Sequence, residues 1–224
     1  MLASTTFSAT CGDFNPAVFY NMLNLSHVSF AYPHCAVLRD FSAQLAPGLA
    51  LVLGGDGRGK TTTQTLLAGE LPLDAGRLQL GGVFLDEQPE AYRQQVFWID
   101  PRSTAHDALT VTDYLQSVRR AYPGFDEAVL AEVIDGLSLG PHLHKNLFML
   151  STGSKRKVWL AASAASGAQL TLLDGPFASL DQASINFVLQ MLGEAASQST
   201  RIWVVADYVP PGDLALTTLI DLGD

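Results

Sequence analysis

Residues Gly54, Gly55, Asp56, Gly57, Arg58, Gly59, Lys60, Thr61 and Thr62 run consecutively and fit the pattern G-x-x-x-x-G-K-[ST]. Few folds can carry that loop. Its glycines let the backbone wrap a phosphate with N–H groups pointing inward, and the N-terminus of a following helix adds positive potential. A strand must deliver the loop and a helix must leave it. Residues 49–53 (LALVL) are a short apolar run of buried-strand type, and residues 61–68 read as the first turns of a helix. In such a loop Lys60 reaches the β- and γ-phosphates of a nucleotide, and the Thr61 hydroxyl ligates Mg²⁺.

With 224 residues, 48% of them hydrophobic, the chain is long enough for one α/β domain with a sizeable core. The net charge of −9 argues against nucleic acid as a partner, which calls for a basic footprint. No apolar run approaches the roughly 18 residues of a membrane helix, so a membrane role is expected only through a partner. Cys11 and Cys35 lack metal-site spacing and read as free thiols. The five histidines, at 27, 34, 106, 142 and 144, read as surface or structural residues.

Residues 1–21 are small, polar and aperiodic, with neither the basic nor the apolar region of a secretory signal; they read as a poorly ordered extension. Residues 22–224 read as one domain. Residues 23–32 alternate apolar and polar like a half-buried strand, Pro33-His34 ends them, and residues 37–45 resume the alternation. Residues 77–80 and 83–85 flank Gly81-Gly82 as a small hairpin, and residues 95–99 (QVFWI) read as a buried strand. Helices are expected over 111–122, after an Asp126 cap, and over 155–166. In the second of these Val129, Leu130, Val133, Ile134 and Leu137 form one face. A strand at 169–173, a helix at 182–196 and a strand at 201–206 complete the pattern. This predicts a P-loop α/β fold: a mostly parallel core sheet, an N-terminal antiparallel β-subdomain, and an inserted helical subdomain at about 102–165.

Leu150-Ser151-Thr152-Gly153-Ser154 precedes a basic run, Lys155-Arg156-Lys157. An apolar strand ending in Asp174 follows, then Ser179-Leu180-Asp181. In that order and spacing, from about residue 23 to 222, the chain resembles the ATP-binding cassette (ABC) ATPases. The resemblance implies a subunit that binds ATP and Mg²⁺. Gly54 to Thr62 match the Walker A loop, and Asp174 matches the Walker B aspartate that holds Mg²⁺ through water. Residues 150–154 match the signature motif, where Ser151 and Gly153 serve the nucleotide held by a second cassette; Ser151 is also placed to cap a helix. Residues 179–181 match the loop that crosses the dimer interface. Tyr32 stands where the family has an aromatic that stacks on adenine, and it equally fits a core tyrosine at a strand end.

Three positions depart from the family. The glutamate after the Walker B aspartate, its general base, is replaced by Gly175, with Pro176 next. The glutamine that touches Mg²⁺ and the γ-phosphate is replaced by Asp100, and the histidine that contacts the γ-phosphate by Asp207 or Ala206. Losing a positioned general base costs about 10²–10⁴-fold in rate. The sequence therefore predicts retained ATP binding and weak or partner-dependent hydrolysis. Asp100 and Asp207 remain candidates for a relocated base or, at Asp100, a Mg²⁺ ligand. The resemblance implies a transmembrane permease partner, a second cassette in a homodimer or heterodimer, and a cytoplasmic position at the inner face of a membrane. A non-transport cassette using ATP as a dimerisation switch is the second reading.

Overall fold

The computed structural model describes residues 21–223. The expected extension over residues 1–21 lies outside the described residues except for Asn21. β1 (Leu23–Tyr32) and β2 (Cys35–Leu45) form an antiparallel hairpin closed where Tyr32 pairs with Cys35. β3 (Gly48–Leu53) leads through the glycine loop into α1 (Lys60–Leu67). β4 (Ala75–Leu80) and β5 (Val83–Phe84) make the small hairpin, followed by α2 (Pro89–Arg93) and β6 (Val96–Phe97). The helical stretch comprises α3 (Val111–Ala121), α4 (Glu127–Gly136), two 3-10 turns and α5 (Thr152–Ala165). The chain ends with β7 (Leu170–Asp174), α6 (Gln182–Ala196), β8 (Ile202–Asp207) and β9 (Thr218–Asp221).

The strands divide into two sheets. One is antiparallel, in the order β2-β1-β4-β5; the other is parallel throughout, in the order β6-β7-β8-β3-β9. The parallel sheet is covered on both faces, which explains the unbroken apolar runs of its strands. Successive side chains of β3 alternate between two cores. Leu49 and Leu51 join a cluster with Val111, Val133, Val158 and Val188 from α3, α4, α5 and α6. Ala50 and Val52 join the other, with Leu66 and Leu67 of α1 and the buried residues of β1. The four longer helices after α1 start on side-chain caps, two of them, Asp126 and Ser151, as the sequence suggests: Thr110, Asp126, Ser151 and Asp181 each accept from a first-turn N–H. Such caps contribute about 1 kcal/mol apiece.

The structure adjusts several expected elements. The strand expected at 95–99 shortens to Val96–Phe97, because only these residues pair with Leu170 and Thr171 on β7. The helix expected from 155 begins at Thr152: the Ser151 hydroxyl accepts from Ser154 N at 3.1 Å and places the signature residues in the first turn. α2 and β9 were not foreseen. β9 is short and half-exposed, and what makes it a strand is its pairing with β3, more than 160 residues away along the chain.

Arg201 locks the far end of α5. Its guanidinium donates to the carbonyls of Ser163, Ala164 and Ala168 and to the Thr171 hydroxyl, at 2.9–3.1 Å, and stacks over the Trp203 ring at 4.7 Å. Burial pushes its pKa down to about 10. A cation on the last carbonyls of a helix complements the helix dipole. Arg201→Ala leaves these buried acceptors without their donor and is expected to cost about 2–3 kcal/mol of stability, read as a lower denaturant midpoint. A midpoint shift equivalent to under about 0.5 kcal/mol would contradict this.

Candidate functional site

Three strand ends build the site. The glycine loop leaves β3, Asp174 ends β7 and Asp207 ends β8, and these strands are neighbours in one parallel sheet. Ligands of open parallel sheets gather at this carboxyl edge. The cleft there has a volume of about 460 Å³ and is lined by Asp56, Gly57, Gly59, Lys60, Thr61 and Thr62 of the loop, with Asp174 and Gly175 opposite.

Lys60 is buried, and its ammonium donates to the carbonyls of Gly54 at 2.7 Å and Gly55 at 2.8 Å. The Thr61 hydroxyl donates to Asp174 Oδ2 at 2.6 Å, across 113 residues of chain. These two oxygens are hard donors that converge beside the phosphate loop. Among the described residues no group of three or more His, Cys, Asp or Glu side chains is placed to hold a metal. That combination suits Mg²⁺, which takes one or two protein oxygens and completes its shell with water and phosphate. Tyr32 is 48% exposed, so the strand-end core reading is set aside. Its ring packs edge-on against Phe30, and its hydroxyl lies 3.4 Å from Thr62 Oγ1, beside the loop. Arg58 is exposed on the loop.

Of the replaced positions Gly175 lines the cleft and Asp207 does not, its neighbour Ala206 standing there instead; Asp100 does not line it either. It sits in a neighbouring groove with Trp98, Ser103 and His106, and Arg102 grips both its carboxylate oxygens at 3.0 Å. Burial acts to raise the Asp100 pKa, but the bonds from Arg102 outweigh it and hold the carboxyl below its ordinary value. Arg102, rather than Asp100, reaches the phosphate cleft. Asp207 is half-buried; burial raises its pKa, opposed by a bond from Tyr208 N at 2.7 Å. The folded chain thus binds this proton more readily than the unfolded chain. The stability tied to it is full below the ordinary value of 3.8 and is lost as pH rises through the higher folded value. Asp207→Asn is accordingly expected to raise the melting temperature at neutral pH, with the gain shrinking in melts at progressively lower pH. A variant less stable than the parent at neutral pH would mean that Asp207 is held as an anion.

Ser151 and Gly153 do not line this chain's own cleft, and Ser151 is exposed. Gly153 also has a local constraint: a Cβ there would lie 2.2 Å from the Ser179 carbonyl oxygen. The signature helix packs on the 179–181 loop at that point. Asp181 caps α6 through Ser184 N at 2.8 Å, and a bond from Lys157 holds its carboxyl well below the usual range.

Three polar cleft residues were not singled out as site residues in the sequence: Arg102, Arg156 and Tyr208. The basic run on α5 splits because each residue turns about 100° around the helix. Lys155 pairs with Asp107 at 2.6 Å and Lys157 with Asp181 at 2.8 Å. Arg156 reaches back over the Walker B segment and donates to the carbonyls of Asp174, at 2.9 Å, and Gly175. Tyr208 lies across the glycine loop, its hydroxyl on Asp56 and its ring on Lys60. Its one sequence clue was its place next to Asp207 at a strand end.

Fold and site together define a P-loop nucleotide-binding cassette with an inserted helical subdomain. The sequence profile of the ABC transporter family matches residues 38–178, and the chain belongs to that family. It is 30% identical over 187 residues to the ABC transporter ATP-binding protein YtrB of Bacillus subtilis, covering 83% of this chain and 63% of that protein. It is 34% identical over 163 residues to a taurine import ATP-binding protein, TauB, of Pseudomonas fluorescens, covering 71% and 61%. The chain thus spans less than two thirds of the length of these two relatives. A solved ATP-binding subunit of an ABC transporter superposes with a TM-score of 0.73 at 25% identity, covering 83% of this chain and 79% of that one.

Proposed function

We propose that the chain is the ATP-binding subunit of a membrane transporter, that it holds Mg-ATP in the cleft at the carboxyl edge, and that it hydrolyses ATP weakly by itself. The observation that carries the binding is the Thr61–Asp174 bond beside the buried Lys60. In this reading Lys60 and the loop N–H groups hold the phosphates, and Tyr32 lies beside the base. Thr61 and Asp174 hold the Mg²⁺, which would neutralise phosphate charge and orient it. Weak hydrolysis rests on Gly175, whose side has no proton acceptor, and on Asp100, whose carboxylate is taken up by Arg102. Among the described residues no helix is long and apolar enough to cross a membrane. We place the chain on the cytoplasmic face of a membrane, docked on a transmembrane permease and paired with a second cassette. A switch-type cassette outside transport is the alternative, and co-purification of a polytopic membrane protein at native expression separates the two.

The chemistry is tested by titrating Mg-ATP against the purified chain and following phosphate release. Binding with turnover well under about one per second is expected; several turnovers per second by the lone chain would refute weak hydrolysis. Gly175→Glu is expected not to restore ordinary turnover. Residue 175 has φ +53°, a left-handed backbone that strains any side chain, and the nearest atom a Cβ would meet is Arg156 Nη1 at 3.8 Å. A glutamate there is drawn onto a guanidinium instead of a water. Full activity in Gly175→Glu would show that the missing carboxylate is the sole defect. If Asp207→Asn instead abolishes a measurable activity while ATP still binds, Asp207 is the base.

A further inference from the structure

The Lys60 ammonium has three N–H donors. Two go to the carbonyls of Gly54 and Gly55. The remaining face meets the Tyr208 ring, whose centroid is 3.7 Å from Nζ. A cation on an aromatic face is an attractive contact in its own right. Tyr208 is also tethered at its far end, where its hydroxyl donates to Asp56 Oδ1 at 2.6 Å. That bond raises the pKa of the hydroxyl, so it remains a donor through the neutral range. Asp56 puts a carboxylate in the same cleft, where it repels phosphate. The ring is 56% exposed and so is not locked in place by packing.

We propose that Tyr208 gates the phosphate site: its ring takes the face of the Lys60 ammonium that a nucleotide phosphate needs, and Asp56 holds it there. This rests on the nucleotide-binding reading above. A phosphate can reach Lys60 only by displacing the ring, and each molecule bound must break the cation–ring contact and the Tyr208–Asp56 bond. Tyr208 therefore lowers the affinity for Mg-ATP, and a bound nucleotide frees the segment that follows β8.

Calorimetric titration of Mg-ATP into the full chain tests the gate, with circular dichroism melts to verify folding. Tyr208→Ala is expected to bind about three- to tenfold more tightly than the parent, a range set by one partly exposed cation–ring contact and one charge-assisted hydrogen bond. Tyr208→Phe keeps the ring, loses the tether and is expected to fall between the two. Unchanged or weaker binding by Tyr208→Ala, with the parent still binding, overturns the gate alone, and weaker binding makes Tyr208 a nucleotide contact. No Mg-ATP binding by the parent or by either variant overturns the nucleotide-binding reading and the gate with it.

Discussion

Lys60→Ala is expected to weaken Mg-ATP binding by about a hundredfold or more, because one side chain serves both loop and ligand. Lys60 is buried, and its ammonium draws the Gly54 and Gly55 carbonyls inward, so the loop's N–H groups are left free to point at phosphate. Truncation removes the nearest cation from the phosphates. It also leaves the Gly54 and Gly55 carbonyls without their donor. The fold should survive, since α1 is anchored by Leu66 and Leu67 in the core and not by Lys60. A normal melting curve together with lost binding is therefore the expected pair of results. A Lys60→Ala chain that binds Mg-ATP like the parent would place the nucleotide elsewhere, or nowhere.

Ser151→Arg in this chain is expected to abolish ATPase activity of the assembled complex, while Lys60→Ala should reduce it only in part. The reasoning begins with an asymmetry. The positions that serve this chain's own hydrolysis are altered at Gly175, Asp100 and Asp207, whereas Ser151 and Gly153, which in the family serve the partner's nucleotide, are kept. Gly153 alone is weak support, because its contact with the Ser179 carbonyl already excludes a side chain. Ser151 is the sharper probe: it is exposed, and in the proposed pairing an arginine there would stand at the face that meets the second cassette. The Ser151 cap is worth about 1 kcal/mol, so its loss should leave the chain folded. A partner cassette with intact catalytic residues would then lose its completing signature. If only homodimers form in cells, or if Ser151→Arg leaves the ATPase of the complex untouched, the two sites are equal and the chain acts as a slow clamp.

The division between what was legible in the sequence and what was not follows the range of each interaction. Most of what is written in local pattern could be read, the short helix α2 being missed. The glycine loop, the alternation of β1, the buried run of β3, the caps at Asp126 and Ser151, and the order of motifs depend on neighbours within a few residues. They determine a P-loop cassette and its glycine loop, and they put Gly175 directly after Asp174. What only the tertiary structure decided depends on residues far apart in the chain. β9 exists because β3 offers it a free edge, and the strand at 95–99 stops at Phe97 because only Val96 and Phe97 pair with β7. Asp100 and Arg102 are two residues apart, yet which of them faces the cleft depends on how that loop packs beside α3. Arg156 sits in an unremarkable basic run until helical geometry turns it onto Asp174 and Gly175. Tyr208 and Asp56 are 152 residues apart, and only the adjacency of β8 and β3 brings the phenol across the loop. The sequence determined which chemistry is available at this edge of the sheet; the packing of distant strands and helices decided which side chains stand in its way.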